Sequence, residues 1–201
     1  MKKNLQKLEN INRIREAELY KSAAYFFNKY GYSATSVRQI GRAIGIHESS
    51  IYHYIRSKED LLFNICSWAM IVGLDVIAPI AKSDLMPDLK LKKMIDLHTA
   101  TIAENFNEHL TMLKELRSLS PSNRRKIVKL RDRYEALFRK VIRAGAHERL
   151  FRDLDIKMTT LSLLGMMNSL IRWYSPDGPI KSAEIAKIFS ALFFNGVRKK
   201  M

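Results

Sequence analysis

Apolar residues return three or four positions apart along almost the whole 201-residue chain, and nowhere with the two-residue alternation of a half-buried strand. That periodicity is the tightest constraint on what the chain can fold into. Ile11, Ile14, Ala17, Leu19, Ala23, Phe26 and Phe27 form a first stripe that stops at Gly31, a natural helix terminator. Val37, Ile40, Ala43 and Ile44 form a second, behind Thr35 or Ser36 as N-cap, and Gly45 breaks it. The pattern predicts a short third helix over 47–54. A fourth is predicted behind Ser57, with Glu59 and Asp60 in its first turn, where acid suits the helix dipole, running to about Pro79. Residues 82–88 read as a polar, proline-containing turn. Helices follow over 89–106, 108–119, 121–147, 156–174 and 183–198, with Ser120-Pro121 as an N-cap before a first-position proline and Ser175-Pro176-Asp177-Gly178-Pro179 as a turn. With only 8 Gly, 5 Pro and no internal repeat, the expected class is all-α.

The chain is 47% hydrophobic, too apolar for disorder. One cysteine, Cys66, excludes a disulfide framework or a multi-cysteine metal site. Lysine and arginine total 35 against 20 acids, a net charge of +15 that favours polyanionic partners. The apolar stretches near 158–174 and 185–197 fall short of the roughly 20 residues a bilayer crossing needs, and the first contains Arg172. The expectation is a soluble, cytoplasmic protein with no membrane partner. No nucleophile–base set or Gly-rich phosphate loop is readable, and Glu104, Glu108 and His109 lack Glu-x-x-His spacing, so no catalytic residue, metal or cofactor is expected.

The most informative segment is 35–62. Two short helices joined by a tight turn at Gly45-Ile46 make a helix-turn-helix, whose second helix enters the DNA major groove. Val37, Ile40, Ile44, Ile46, Ile51 and Ile55 supply the contacts that fix the crossing. His47, Glu48, Ser49, Ser50 and His53 are short polar groups suited to base edges, and Thr35 and Ser36 sit at a helix start, where hydroxyls and N–H groups can hold phosphate. His47 and His53 are six apart, the wrong spacing for two ligands on one helical turn. Lys2, Lys3 and Lys7 are either a phosphate-contacting arm or a solvated tail.

Residues 25–62, YFFNKYGYSATSVRQIGRAIGIHESSIYHYIRSKEDLL, resemble the DNA-binding domain of the TetR family of transcriptional regulators. The resemblance rests on Phe27…Gly31-Tyr32, Ala34-Thr35-Ser36-Val37, Ile40-Gly41…Gly45-Ile46, Ser50-Ile51-Tyr52-His53-Tyr54-Ile55 and Ser57-Lys58-Glu59-Asp60-Leu61-Leu62. It implies a three-helix DNA-binding domain over 1–57 and a helical effector-binding and dimerisation domain over 58–201. It implies a homodimer on an operator in double-stranded DNA, acting as a repressor released by a small ligand. Thr35 and Ser36 match phosphate contacts, Ser50, Tyr52 and His53 recognition-helix contacts, and Lys58 the phosphate-binding lysine of the fourth helix. Glu48 departs from the pattern; it either accepts from cytosine N4 or is a solvated first-turn acid. Tyr54 either packs or contacts DNA.

The charge does not concentrate at the front. Residues 1–66 carry +5 and residues 67–201 carry +10, with ten basic residues over 117–143. Those basic residues surround an inward stripe of Ile127, Leu130, Tyr134, Leu137, Phe138 and Val141, and are either a solvated face or a dock for an anionic group such as the phosphates of coenzyme A. The last two helices, apolar on all sides, need a partner for one face, which a two-fold dimer supplies. Residues 163–197, with Gly165…Asn168…Trp173-Tyr174…Pro176…Gly178, and 141–155 are similar to a TetR subgroup that includes acyl-CoA-responsive repressors of fatty-acid and sterol catabolism. The candidate ligand contacts are Phe106, Tyr134, Phe138, Asn168, Arg172 and Trp173. Asn168 and Arg172, polar in an apolar helix, either orient a ligand or serve the dimer. The rival reading is a DNA-bound regulator controlled by a protein partner with no small ligand.

Overall fold

The computed structural model describes the backbone of residues 2–197 and the side chains of residues 15–197 other than Glu48. The described residues are helical, with no β-sheet. The order is α1 (Lys2–Tyr30), α2 (Val37–Ala43), α3 (Glu48–Ile51), α4 (Lys58–Lys82), α5 (Pro87–Glu104), α6 (Phe106–Glu115), a 3₁₀ turn (Leu116–Ser118), α7 (Pro121–His147), α8 (Ile156–Asn168), α9 (Leu170–Trp173) and α10 (Ser182–Val197). The chain divides into two compact units. One comprises the residues up to Ala69 with Asn107–Arg125; the other comprises Met70–Phe106 and the residues from Lys126 onward.

In the first unit the apolar stripes meet as their spacing requires. Leu19, Ala23, Phe27, Ile40, Ile51, Leu61, Leu62 and Ile65 are all within 1% of full burial. Gly31 and Gly45 adopt φ of 86° and 67°, the left-handed region that ends α1 and α2 without a Cβ penalty. Gly41 is needed for another reason: a Cβ there would lie 2.5 Å from Ile51 Cδ1 and 2.8 Å from the Ile46 carbonyl oxygen, so its hydrogen lets α2 and α3 close on each other. The segment from Asn107 joins α1 through Asn28 Nδ2, which donates to the Asn107 carbonyl at 2.8 Å, and through Thr111 Oγ1, which donates to the Ala24 carbonyl at 3.3 Å.

In the second unit α10 packs mainly on α5, and α8 and α9 complete the layer. His98 Nδ1 lies 2.7 Å from Tyr134 Oη, both buried, with Phe138 edge-on to His98. Burial pushes the Tyr134 hydroxyl well above the usual tyrosine range. Gly145 lies against the Phe151 ring, where a Cβ would stand 2.2 Å from Cε2.

Four expectations change. The third helix stops at Ile51 rather than Tyr54: His53 N–H donates to Ser50 O and Tyr54 N–H to Ile51 O, tighter three-residue closures that bring Ile55 into the core at 2% exposure. The fourth helix passes Pro79 and ends at Lys82. The helix expected over 108–119 begins at Phe106 and tightens into the 3₁₀ turn after Glu115. The helix expected over 156–174 is interrupted at Ser169, whose hydroxyl donates to the Met166 carbonyl at 2.7 Å. By length and composition α4 could cross a membrane, a longer apolar stretch than those the sequence singled out. Its apolar residues Leu61, Leu62, Ile65, Cys66, Ala69 and Ile77 are instead wholly buried inside the protein.

Candidate DNA-binding site

The site is built by capping. Ser36 is the N-cap of α2: its Oγ accepts from Gln39 N–H at 3.2 Å while its own N–H donates to Gln39 Oε1 at 2.8 Å, a reciprocal capping box. The Ser-x-x-Gln spacing was readable, yet Gln39 is the residue that sequence reasoning overlooked. Ser57 accepts from Asp60 N–H at 3.0 Å, and Asp60 reaches back to Arg56 N–H at 2.9 Å, fixing the start of α4 directly after the recognition segment.

Thr35 is not placed like Ser36. It is 2% exposed, and its hydroxyl donates inward to the Gly31 carbonyl at 2.9 Å, with Phe26 O at 3.2 Å, so its side chain braces the α1–α2 corner instead of facing solvent. Ser36 is exposed beside it.

The segment that begins α3 presents a polar outer surface. His47, Ser49, Tyr52 and His53 are exposed and Ser50 is half-buried, while Ile51 on the opposite side is fully buried. His47 Nδ1 lies 2.9 Å from Ser49 Oγ. Tyr54 is half-buried. The side chains of Glu48, Lys2, Lys3 and Lys7 lie outside the described residues. Lys58 donates to the Ser33 carbonyl at 3.2 Å and stands 4.4 Å from the centre of the Tyr32 ring. Partial burial draws its ammonium below the usual lysine range, with Glu115 opposing.

The candidate ligand residues do not converge. Tyr134 and Phe138 are buried with His98, and Phe106 contacts the Tyr174 ring at 6.1 Å. Asn168, Arg172 and Trp173 are exposed, so the need for buried polar partners at Asn168 and Arg172 does not arise within one chain. Trp173 Nε1 donates to Ser169 Oγ at 3.2 Å, and its ring lies edge-on to Phe189. Met158, Leu161, Ile188 and Leu192 are also exposed, and Met158 and Leu192 line an open groove of about 390 Å³ between α8 and α10. Among the described residues no cluster of His, Cys, Asp and Glu could hold a metal ion. Cys66 is buried, and burial pushes its thiol up to about 12.

The family described as "Bacterial regulatory proteins, tetR family" matches residues 19–65, and "Tetracyclin repressor-like, C-terminal domain" matches residues 84–197, more than half the chain. The chain belongs to the TetR family. TetR-family regulators are DNA-binding transcription factors, not enzymes. The chain is 26% identical over 192 residues to the HTH-type transcriptional repressor KstR2 of Mycobacterium tuberculosis, covering 92% of this chain and 94% of that one. It is 32% identical to the TetR-family regulator PfmR of Thermus thermophilus, whose crystal structure matches with a TM-score of 0.84 over 90% of this chain and 99% of that one. AibR in complex with isovaleryl coenzyme A and operator DNA shares the fold at a TM-score of 0.79 and 23% identity, over 90% of this chain and 98% of that one.

Proposed function

We propose that this TetR-family regulator binds its operator as a homodimer, represses transcription there and is released by an acyl-CoA. The observation that carries the DNA reading is the exposed polar surface of His47, Ser49, Ser50, Tyr52 and His53, held rigidly by Ile51 and Ile55 below it. In the dimer two such segments stand about one DNA turn apart, roughly 34–36 Å, and each enters a major groove. Ser36 and Lys58 hold the flanking phosphates, and Thr35 positions Ser36 from beneath.

The dimer forms through α8 and α10. Met158, Leu161, Ile188 and Leu192 are apolar side chains that a second copy would cover, with Asn168, Arg172 and Trp173 on the same helical layer. The acyl-CoA reading is supported by the isovaleryl coenzyme A bound to AibR, which has the same fold. Tyr134 and Phe138, buried together beside His98, are the residues proposed to bound the acyl chain. Release requires the ligand to favour the state that does not fit DNA, with typical coupling of about 1–3 kcal/mol.

The test is titration of the DNA-bound protein with acyl-CoA thioesters of graded chain length at fixed salt. Release by one range of lengths, with free coenzyme A inert, is the expected result. No release by any thioester removes the acyl-CoA reading and leaves control by a protein partner.

A further inference from the structure

Residues 47–54 contain no lysine or arginine and one glutamate, so the segment that reads bases contributes no cation to phosphate binding. Affinity for DNA comes largely from neutralised phosphates, and those charges must stand elsewhere. The unit that carries the recognition segment includes Asn107–Arg125, a stretch from far along the chain. This stretch is latched to the first turn of α4. Glu59 Oε1 accepts from Ser120 N–H at 2.9 Å and from Asn123 Nδ2 at 3.1 Å, and these bonds hold its carboxyl below the usual range. Glu59 directly follows Lys58, and the Glu115 charge is felt at both Lys58 and Tyr32. The corner between α6 and α7 therefore sits beside the phosphate-binding lysine of the proposed DNA site.

Lys114, Arg117, Arg124 and Arg125 are all exposed on this corner. Its two acids do not balance them: Glu108 is buried at 2% exposure, and Glu115 is half-buried and accepts from Ser118 Oγ at 2.8 Å. Arg117, Arg124 and Arg125 have no acidic partner among the described residues. Three long cations thus stand exposed on this corner without counter-charges of their own.

We propose that the α6–α7 corner is a second, sequence-independent DNA contact, in which Arg117, Arg124 and Arg125 hold backbone phosphates flanking the bases read by the 47–54 segment. The contact lengthens the footprint and raises affinity for any duplex without changing base preference. It rests on the DNA-binding reading above, and the experiment separates the two. The full-length protein carrying Arg117→Gln, Arg124→Gln and Arg125→Gln is compared with wild type on a selected operator in a long duplex, with affinity followed against salt. Removing one phosphate contact lowers the slope of log affinity against log salt by about 0.9. The triple variant, deprived of roughly two to six such contacts per dimer, should therefore show a slope lower by about 2–5. Trimming the flanking DNA reproduces that loss for wild type and leaves the variant unaffected. A control variant with Lys93, Lys140 and Arg143 changed to Gln removes equal charge outside the corner and keeps the slope.

An unchanged slope in the arginine variant, or an equal fall in the control, overturns the proposal. The Tyr52→Ala, His53→Ala variant reports on the underlying reading: it loses base preference but keeps the salt slope. Base preference kept in that variant would mean that the base-reading site itself is misassigned, and the flanking role would fall with it.

Discussion

Replacing Gly41 with alanine should separate folding from operator binding. The added Cβ lies 2.5 Å from Ile51 Cδ1 and 2.8 Å from the Ile46 carbonyl oxygen. Ile51 is fully buried, so its Cδ1 moves aside only by displacing its neighbours. The Ile46 carbonyl belongs to a turn tied down by Ile46 N–H donating to the Gly41 carbonyl at 2.9 Å. The methyl is accommodated only if α3 moves off α2 by some tenths of an ångström. Overpacking of this kind costs about 1–3 kcal/mol. Removing a glycine from a helix returns up to about 1 kcal/mol. The net loss of stability is then at most about 3 kcal/mol, lowering the melting temperature by no more than about 12 °C for a chain of this size. The displaced segment loses base contacts worth about 1–3 kcal/mol each. With two half-sites, operator binding should weaken by at least about 2 kcal/mol, roughly 30-fold or more. Thermal unfolding and fluorescence anisotropy on an operator selected from random-sequence DNA measure both quantities. A Gly41→Ala variant that binds its operator as wild type does would refute the claim that close α2–α3 packing sets the recognition geometry.

Gly145→Ala places a methyl 2.2 Å from the buried Phe151 ring and should cost about 1–3 kcal/mol in chemical denaturation, with operator contacts untouched; no change in the midpoint would count against the packing described. Tyr134→Phe removes the 2.7 Å bond to His98 in a buried setting and should lose about 1–3 kcal/mol. Burial holds His109 at about 4 rather than 6.5, so protonation opposes the fold. Its contribution is constant above about 6.5, declines as pH falls toward 4 by about 3 kcal/mol in all, and is level below. His109→Leu should remove that part of the slope, and parallel pH profiles for variant and wild type would contradict it. For Glu59, held below the usual carboxyl range by bonds from Ser120 and Asn123, the contribution is present above the unfolded carboxyl value. It is lost as pH falls through the lowered one, so Glu59→Gln should differ from wild type at neutral pH and converge with it in acid.

What the sequence made legible follows from periodicity and punctuation. Phe27, Ile40, Ile51, Leu61 and Leu62 recur at helical spacing because they form one core, and Gly31 and Gly45 stand where φ is positive. What stayed illegible shares a cause: burial is set by what packs from a distance. Nothing near Thr35 reveals that the α1–α2 corner folds over it, whereas the neighbouring Ser36 declares itself through Gln39. The exposure of Asn168 and Arg172 is equally invisible from within an apolar helix. The latch between Glu59 and Ser120 spans 61 positions, so the corner arginines could not be associated with Lys58 from the sequence. The third helix is short because tighter closures after Ile51 carry Ile55 into the core, a change of winding that helical spacing does not announce.

Central to the proposed function is base reading by the 47–54 segment of a dimer. The measurement that bears on it most directly is operator affinity of the Tyr52→Ala, His53→Ala variant, with sedimentation equilibrium on the same sample. Both side chains are exposed, so the fold and the dimer should survive while specific affinity drops toward that for random DNA. Wild-type operator affinity in a well-folded variant would contradict it, and the recognition surface would have to be sought elsewhere on the molecule.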